Sequence, residues 1–373
     1  MEKTTTKEII HKLLELAGVT LNGKQPWDIQ VHNERFYEMA LRRGSLGLGE
    51  AYLEGWWDCE KLDEFFYRLM RSDIENKMKK NWLLMFRIFI AKFFNLQTKQ
   101  RAFEVGEKHY DLGNDIFAAT LDSGMSYTCG YWKNADNLEQ AQQAKLELVC
   151  QKLMLRPGMR LLDIGCGWGA LAKYAAEKYG VSVVGITVSV EQADYAKKTC
   201  QALPIEIRLQ DYRELNESFD RIVSLGMFEH VGHHNYHTYM QVAHRCLKED
   251  GLFLLHTIGA NQTGYKADEW ITKYIFPNGM LPSVAQIGKA SEKFFIMEDW
   301  HNFGADYDKT LMAWYENFKQ HWDELKSRYD QRFYRMWTYY LLSCAGGFRA
   351  RGMQLWQIVF TRNGLLGGYQ APR

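Results

Sequence analysis

Arg160-Leu161-Leu162-Asp163-Ile164-Gly165-Cys166-Gly167-Trp168-Gly169 is an apolar strand that ends at an acidic residue and continues into a loop with three alternating glycines. Glycine tolerates positive φ and lets backbone N–H groups approach a ligand closely, and Asp163 can accept hydrogen bonds from an amino-bearing group. The spacing Asp-x-Gly-x-Gly-x-Gly differs from the Gly-x-Gly-x-x-Gly of dinucleotide-binding proteins. It predicts a nucleotide-like ligand across the end of an α/β sheet. Another ligand of Rossmann-like folds, or a purely structural turn, is the alternative.

The chain alternates strand and helix patterns from about residue 137 onward, as doubly wound α/β sheets do. Hydrophobic runs predict strands at 160–164, 181–186, 205–209, 221–225, 252–258, 294–298 and 355–360. Helices are predicted at 138–153, from about 169, at 190–203 and 235–248, and twice across 306–345. The glycine motif and this order resemble the S-adenosylmethionine-dependent methyltransferases. We therefore expect their seven-strand doubly wound α/β fold over 137–373, with an aromatic, Gly/Pro-rich insertion at about 260–293 that would contact a lipid.

The first hundred residues predict a small helical N-terminal domain, followed by a linker and active-site cover over 101–136. Thr6 is expected to cap a helix through Leu16, and residues 62–69 have helical spacing. Two glycine-containing stretches, 44–50 and 55–57, are interpreted as turns that punctuate this domain.

A basic aromatic stretch lies between Asn76 and Phe103, where seven basic residues occur and no acidic one. Its apolar run at 82–94 is interrupted by Arg87 and Lys92, so it cannot span a bilayer. Two interpretations stay open. The stretch could lie on an anionic lipid surface, or it could be a core helix with a solvated basic edge.

Composition restricts the partners of the chain. Its 46 Lys and Arg residues nearly balance its 45 Asp and Glu residues, so no nucleic acid or other polyanion is expected as a partner. Seven cysteines occur without a Cys-x-x-Cys pair, which is typical of a reducing compartment. The N-terminus has no apolar segment followed by a cleavage site, and a cytoplasmic location is expected.

Polar residues follow the second and third predicted strands, at the sheet edge where α/β proteins bind ligands. Thr187, Ser189 and Gln192 stand where many methyltransferases place an acidic residue for the ribose, so a hydroxyl or the amide must replace it. Asp211 could bind the adenine amino group and Tyr212 could stack on the base. Ordinary loop roles are the alternative for each residue.

Glu229 follows the fourth strand and His256 lies on the next. A carboxylate at this position is either an ionised anchor or a base, and His256 could orient the same small ligand. His230, His233, His234 and His237 lie nearby, but no His-Glu-x-x-His motif occurs and Gly232 interrupts a continuous helix. We expect no metal site.

Motifs along almost the whole chain resemble the cyclopropane-fatty-acyl-phospholipid synthases. They are His109-Tyr110-Asp111-Leu112-Gly113-Asn114-Asp115, Met125-Ser126-Tyr127-Thr128-Cys129-Gly130-Tyr131-Trp132, the glycine loop, Phe228-Glu229-His230-Val231-Gly232 and His256-Thr257-Ile258-Gly259. Residues 44–50, 275–279, 299–304 and 348–351, with Tyr307, look more like the bacterial phospholipid enzymes than the mycolic-acid enzymes.

The resemblance implies methyl transfer from S-adenosylmethionine to a cis double bond of a phospholipid acyl chain, with a cyclopropane ring as product. It also implies bound bicarbonate as the base, held by Cys129, Glu229, His256, the Ile258 backbone and Tyr307. The cofactor shell that it implies is Tyr127, Thr128, Asp163, Gly165, Cys166, Gly167, Thr187, Ser189, Gln192, Asp211 and Tyr212. A homodimer, associated peripherally with the inner face of the cytoplasmic membrane, is implied as well.

Two other functions compete with this one. The same fold could methylate an oxygen or nitrogen of a soluble metabolite, although a small polar substrate needs neither the aromatic insertion nor the basic stretch. A non-catalytic membrane-surface protein is the third alternative, and the intact motif residues disfavour it. Cys344 invites a role as nucleophile, but alkene methylation needs no covalent enzyme intermediate, so helix packing is expected.

Overall fold

The structure is a computed structural model that describes residues 5–72, 112–264 and 267–373. The basic aromatic stretch at 76–103 lies outside these residues. The chain divides into two compact units. Unit 1 comprises Met1–Leu112, Asp268–Pro277 and Phe318–Gly352, and unit 2 comprises Gly113–Ala267, Asn278–Asn317 and Met353–Arg373. Unit 1 therefore contains two later segments that were expected to belong to the catalytic domain.

Unit 2 contains a seven-stranded sheet. Its strands are β3 (Arg160–Ile164), β4 (Ser182–Thr187), β5 (Ile205–Leu209), β6 (Phe219–Leu225), β7 (Leu247–Ala260), β8 (Ile296–Asn302) and β9 (Met353–Thr361). Their order in the sheet is β5-β4-β3-β6-β7-β9-β8, and β9 runs in the opposite direction to the other six. The expected seven-strand α/β fold is confirmed.

Helices cover both faces of this sheet. They are α4 (Asn114–Thr120), α5 (Leu138–Lys152), α6 (Ala170–Tyr179), α7 (Val190–Thr199), α8 (Tyr236–Cys246), α10 (Val284–Ser291) and residues 305–317 of α11 (Ala305–Gln320). Leu162 and Phe253 belong to the core on one face, and Leu161 and Leu254 to the core on the other. Burial on both faces explains why the central strands are continuous apolar runs in the sequence.

Several predicted boundaries of unit 2 were wrong by a few residues. The helix predicted to reach residue 203 ends at Thr199, because Pro204 and the start of β5 require the chain to leave the helix. Strand β7 is longer than predicted since β9 pairs with it from Leu252 to Ala260. The strand predicted at 294–298 lies at 296–302, where it pairs with β9.

Unit 1 is mainly helical, with a short two-stranded sheet of β1 (Gln30–Val31) and β2 (Trp57–Asp58). Its helices are α1 (Thr6–Glu15), α2 (Arg35–Leu53), α3 (Leu62–Arg71), α9 (Glu269–Tyr274), α12 (Trp322–Leu325) and α13 (Gln331–Arg349). Three helices thus cover the range 306–345 in which two were predicted. None of the helices in the described ranges is both long enough and apolar enough to cross a membrane.

Two local predictions in unit 1 were wrong. The cap of α1 is Thr5, not Thr6, because Thr5 and Glu8 have the three-residue spacing of a capping box. The stretch 44–50 is helical within α2, which kinks at Gly44 (φ 55°, ψ −130°). Gly49 serves close packing there, since a Cβ at that position would lie 2.3 Å from Cδ1 of Trp270.

Candidate active site

The glycine loop connects β3 to α6 at the carboxyl edge of the sheet in unit 2. Gly165, Gly167 and Gly169 have φ of 84°, 55° and 91°, a region that disfavours other residues. A Cβ at Gly165 would lie 2.8 Å from Cβ of Met227, so close packing also demands glycine there. The N–H groups of Gly165 and Cys166 both donate to the carbonyl of Ile186, which braces the loop against β4. These two N–H groups are therefore used within the protein. The expected backbone contacts to a ligand must come from other backbone groups of the loop.

Asp163 lies at the tip of β3 and is 2% exposed. Burial raises the pKa of its carboxyl to about 7, and the nearby Lys145 ammonium opposes that rise. A carboxyl of this kind favours a cationic partner, because an amino group would compensate a buried negative charge. The observation fits the ammonium of a bound amino acid moiety.

Thr187, Ser189 and Gln192 form one hydrogen-bonded group after β4. The Thr187 hydroxyl donates to Oε1 of Gln192 at 2.9 Å and accepts from the Ser189 N–H at 3.2 Å. Ser189 caps α7, and its hydroxyl accepts from the Gln192 N–H. With its oxygen engaged, Gln192 has its amide NH₂ to offer a ligand hydroxyl.

Asp211 and Tyr212 follow β5. The Arg213 guanidinium donates to Oδ2 of Asp211 at 2.7 Å and holds the pKa of that carboxyl below its usual range. Asp211 is therefore an ionised acceptor at neutral pH. The Tyr212 ring is 8% exposed and lies 5.1 Å from the Tyr239 ring, so one face of it belongs to the core.

Glu229 lies in the 3-10 turn Phe228–His230 that follows β6. Its Oε1 accepts from the Ile258 N–H on β7 at 2.7 Å. Its Oε2 is buried and has no hydrogen-bond partner among the described residues. Burial raises the pKa of Glu229 to about 7, although the hydrogen bond from Ile258 acts in the opposite direction.

His256 is 1% exposed on β7, two residues before Ile258. Its Nδ1 lies 3.3 Å from Nε2 of Gln357. The other ring nitrogen of His256, Nε2, is buried without a partner in the described part of the chain. Burial lowers the pKa of His256 well below 6.5, so the ring is neutral at pH 7. When Nδ1 accepts from the Gln357 amide, the ring proton resides on Nε2.

Cys129 and Tyr307 complete the predicted base site. The Cys129 thiol is fully buried, lies 3.2 Å from the Gly130 carbonyl oxygen and 3.8 Å from Oγ1 of Thr310, and has its pKa raised well above 9 by burial. It is a neutral donor and not a thiolate. Tyr307 packs edge-on to Trp314 with 6.1 Å between ring centroids.

Aromatic rings are concentrated near these residues. The Trp314 ring lies 5.2 Å from that of Tyr127, which in turn lies 5.2 Å from Phe117. Phe117 packs at 4.8 Å against Trp168 of the glycine loop. Unit 2 thus connects the loop to Tyr307 through a chain of aromatic faces.

Sequence reasoning missed two buried polar residues of α5, Gln142 and Lys145, each 1% exposed. Lys145 Nζ donates to the Thr128 hydroxyl at 3.1 Å, and Gln142 Nε2 donates to the Thr128 carbonyl at 2.8 Å. Burial lowers the pKa of Lys145 to about 8. Their three-residue spacing places them on one face of the helix. The sequence could not show that this face is buried, because the same spacing is common on solvated faces.

Thr310 of α11 was missed as well. Its hydroxyl accepts from the Gly130 N–H at 3.1 Å and from Nε1 of Trp132 at 2.9 Å, and it donates to the Asp306 carbonyl. A fully buried threonine therefore anchors the segment that carries Cys129.

The remaining candidate residues lie elsewhere. Among the described residues, no three His, Cys, Asp or Glu side chains converge as a metal site would require. The rings of His233 and His234 instead pack against each other at a tilt of 40°, with 3.7 Å between their centroids. Cys344 lies on α13 of unit 1, where burial raises the pKa of its thiol to about 12. A thiol so weakly acidic is a poor nucleophile at neutral pH.

Comparisons with known proteins agree with this fold. Residues 97–358 match the family model described as mycolic acid cyclopropane synthetase. The chain is 58% identical over 365 residues to the cyclopropane-fatty-acyl-phospholipid synthase of Escherichia coli (strain K12), covering 98% of this chain and 95% of that protein. It is 38% identical over 262 residues to cyclopropane mycolic acid synthase 3 of Mycobacterium tuberculosis, covering 65% of this chain and 91% of that protein. A crystal structure of a mycolic acid cyclopropane synthase complexed with SAH and CTAB matches with a TM-score of 0.64 and 35% identity, covering 68% of this chain and 95% of that one.

Proposed function

This chain belongs to the mycolic acid cyclopropane synthetase family, and from that premise we propose that it acts as a cyclopropane-fatty-acyl-phospholipid synthase. It transfers the methyl group of S-adenosylmethionine to a cis double bond of an unsaturated acyl chain in a membrane phospholipid, and a cyclopropane ring forms. The observation that carries this proposal is the 58% identity to the Escherichia coli phospholipid enzyme over nearly the whole chain. The mycolic-acid relative covers about two thirds of the chain, so the remaining third is shared with the phospholipid enzyme.

S-Adenosylmethionine would supply the electrophilic methyl group. The carboxyl edge of unit 2 fits it. Asp163 is a buried carboxyl that suits an ammonium. The glycines of the adjoining loop have positive φ and place no side chains at this edge of the sheet. Gln192 offers an amide to the ribose hydroxyls and Asp211 an ionised acceptor to the adenine amino group. Tyr127, Thr128 and Tyr212 complete this proposed cofactor shell.

The alkene requires no activation by a base, because its π electrons attack the sulfonium methyl directly. What the protein must control is the carbocation left on the acyl chain, which water would trap. Faces of Tyr127, Trp314 and Tyr307 can stabilise that positive charge through cation–π interactions. They also keep the site apolar enough to exclude water.

Ring closure requires loss of a proton from the added methyl group, and we propose bicarbonate as its acceptor. The donor set fits a small hydrogen-bonding anion. Glu229 Oε2 and His256 Nε2 are both buried, and neither has a partner among the described residues. With the ring proton on Nε2, they offer one acceptor and one donor. A bicarbonate ion carries both an O–H for the carboxylate and oxygens for the imidazole N–H. The Cys129 thiol, the Tyr307 hydroxyl and the Ile258 backbone are the further groups proposed to hold it.

A phospholipid substrate resides in a membrane, so we propose that the protein associates with the membrane surface from the cytoplasmic side. The basic stretch at 76–103 supports this, because seven cations without an acidic residue favour anionic lipid. A homodimer is proposed from the family resemblance alone.

One assay tests the proposal. The protein is incubated with [methyl-¹⁴C]S-adenosylmethionine and vesicles of either dioleoyl or distearoyl phospholipid. Label in the dioleoyl lipid alone, recovered as cyclopropane by mass spectrometry, is the expected result. Label only in added soluble metabolites would instead favour a small-molecule methyltransferase, and no transfer would favour a non-catalytic protein. Glu229→Gln provides the inactive control and the surface variant Lys198→Gln the matched active one.

A further inference from the structure

Helix α5 carries two fully buried lysines, and their surroundings differ. Lys152 Nζ lies 3.6 Å from Oδ2 of Asp299 and 3.1 Å from Nδ1 of His301. Lys145 Nζ contacts a neutral group, the Thr128 hydroxyl, and within the described ranges no carboxylate lies in ion-pairing distance of it. An ammonium buried without a contacting counter-charge is costly, because its hydration is lost and not replaced.

The nearest carboxyls act on Lys145 only from a distance. Asp122 and Asp163 raise its pKa through space, while burial lowers it. Both oxygens of Asp122 are already engaged with backbone, since Oδ1 accepts from the Ser126 N–H at 2.8 Å and Oδ2 from the Gly124 N–H at 3.0 Å. Asp163 is the carboxyl proposed above for the ammonium of the methyl donor. Among the described residues, the Lys145 ammonium thus has no carboxylate in direct contact with it.

The field of Lys145 also reaches the proposed base site. Together with Lys152, it lowers the pKa of His256, so the ammonium charge acts at that imidazole. His256 is itself neutral because its pKa is well below 6.5, and Glu229 is a carboxyl, so neither supplies a positive charge there. A small anion in this region needs such a charge, because a low-dielectric site otherwise disfavours it.

We propose that the Lys145 ammonium is the counter-charge of a bound carboxylate-type anion, either bicarbonate or the α-carboxylate of the methyl donor. This inference rests on the proposed function, since that function brings both anions to unit 2. Lys145 acts as a positioning residue for one of them. It does so by charge, while Thr128 fixes the position of the ammonium.

Three substitutions separate charge from hydrogen bonding. Lys145→Gln retains a donor for Thr128 and loses the charge, Lys145→Met loses both, and Lys145→Arg retains the charge. Lys198→Gln removes the same charge from the exposed last turn of α7 and is the matched control. Binding of three probes is measured by calorimetry without lipid: S-adenosylhomocysteine, 5′-methylthioadenosine and sodium bicarbonate in carbonate-depleted buffer. Thermal unfolding is recorded for every variant.

The expected result is that Lys145→Gln and Lys145→Met weaken binding of S-adenosylhomocysteine or bicarbonate by about tenfold or more, the loss of one charge-assisted interaction. Lys145→Arg and Lys198→Gln should stay within about threefold of the wild type, a margin below one such interaction. A loss confined to bicarbonate identifies that ion as the partner, and a loss confined to S-adenosylhomocysteine identifies the donor carboxylate. 5′-Methylthioadenosine has no carboxylate, and its affinity should not change.

The inference is overturned if Lys145→Gln binds both anions as the wild type does, or if 5′-methylthioadenosine weakens as much as S-adenosylhomocysteine. The first result would mean that Lys145 serves only to hold Thr128. The second would mean that its role is structural and not specific to an anion. If Lys145→Met does not fold, the Gln and Arg variants still decide between charge and hydrogen bond. If the wild type transfers methyl groups to lipid and the Lys145 variants bind the probes with unchanged affinity, only the inference about Lys145 is overturned. A wild type that binds no probe overturns the proposed function with it.

Discussion

The N–H of Ile258 donates to Oε1 of Glu229 at 2.7 Å, and this bond joins the turn after β6 to strand β7. It uses one carboxylate oxygen and leaves the other, Oε2, buried without a partner in the described residues. His256 lies two residues before Ile258 on β7, and its Nε2 is likewise buried without a partner in the described residues. Strand pairing therefore places an acceptor and a donor for a small ligand on neighbouring elements.

Glu229→Gln should reduce turnover at least about 100-fold, the scale of losing a group required for proton transfer. The amide oxygen can still accept from Ile258, but an NH₂ group replaces Oε2 and cannot accept the hydrogen bond from the bicarbonate O–H. Affinity for S-adenosylhomocysteine should stay within about threefold, because no contact to the donor is removed. Steady-state kinetics on dioleoyl vesicles and calorimetry give the two quantities. Equal losses of turnover and donor affinity would refute this division of roles.

The stability of the wild type relative to Glu229→Gln should decrease as pH rises. Burial raises the pKa of Glu229 from 4.5 to about 7, so the folded state holds the proton more tightly than the unfolded state. The contribution of Glu229 is thus fully present below pH 4.5 and is lost as pH rises to about 7. The difference should reach about 3 kcal/mol in free energy of unfolding. Urea unfolding of both proteins at pH 5 and pH 8 measures it, and a pH-independent difference would contradict the buried environment of Glu229.

Gly165→Ala should abolish measurable binding of S-adenosylhomocysteine and lower stability. The added Cβ would meet Met227 at 2.8 Å, and φ of 84° strains any side chain. Gly158→Ala is the matched control, because Gly158 has φ of 82° and no atom within 4 Å of the added Cβ. That variant should lose about 1 kcal/mol to backbone strain and retain binding. Similar binding losses in both variants would mean that strain, and not the close approach to Met227, is responsible.

Loss of the Gln357 amide should lower turnover about tenfold, as expected for a partner that orients a functional histidine. Gln357→Leu leaves His256 Nδ1 without its donor and so no longer fixes the ring proton on Nε2. Affinity for S-adenosylhomocysteine should not change. The matched variant Gln354→Leu removes an amide from the same strand, where its Nε2 donates to Asn261, and should leave turnover nearly unaffected. Equal effects of the two variants would exclude a specific role of Gln357.

Charge reversal at Lys79, Lys80 and Arg87 should weaken binding to anionic vesicles, with a loss that shrinks as salt rises because surface electrostatics are screened. Reversal at Lys197 and Lys198, on the exposed last turn of α7, is the control. Vesicle sedimentation at low and high salt measures both. Unchanged sedimentation of the first variant would remove the reason for assigning a membrane role to the basic stretch.

Much of unit 2 could be predicted from the sequence because its signals are local. The sequence predicted β3 and β5 to the residue. Burial on both faces gives β3 a nearly continuous apolar run, and the edge strand β5 alternates apolar and charged residues. Boundaries that depend on distant pairing could not be predicted. Strand β7 reaches Ala260 only because β9, about a hundred residues later, pairs with it.

Glycine in the sequence was ambiguous for the same reason. At Gly165 it marks a turn with positive φ, as the motif predicted. At Gly49 it lies in a helix and makes room for Trp270, whose position only the folded unit 1 defines. A local pattern cannot distinguish these two uses.

The sequence by itself determined the type of fold, the glycine loop with Asp163, and the candidate residues Glu229 and His256, because motif spacing and hydrophobic period are properties of neighbouring residues. Only the tertiary structure decided that one oxygen of Glu229 is used by Ile258 and the other is not, and that Lys145 is buried beside Thr128. Burial and hydrogen-bond satisfaction depend on residues far apart in the chain. For that reason the protonation states of the site follow from the folded structure and not from the sequence alone.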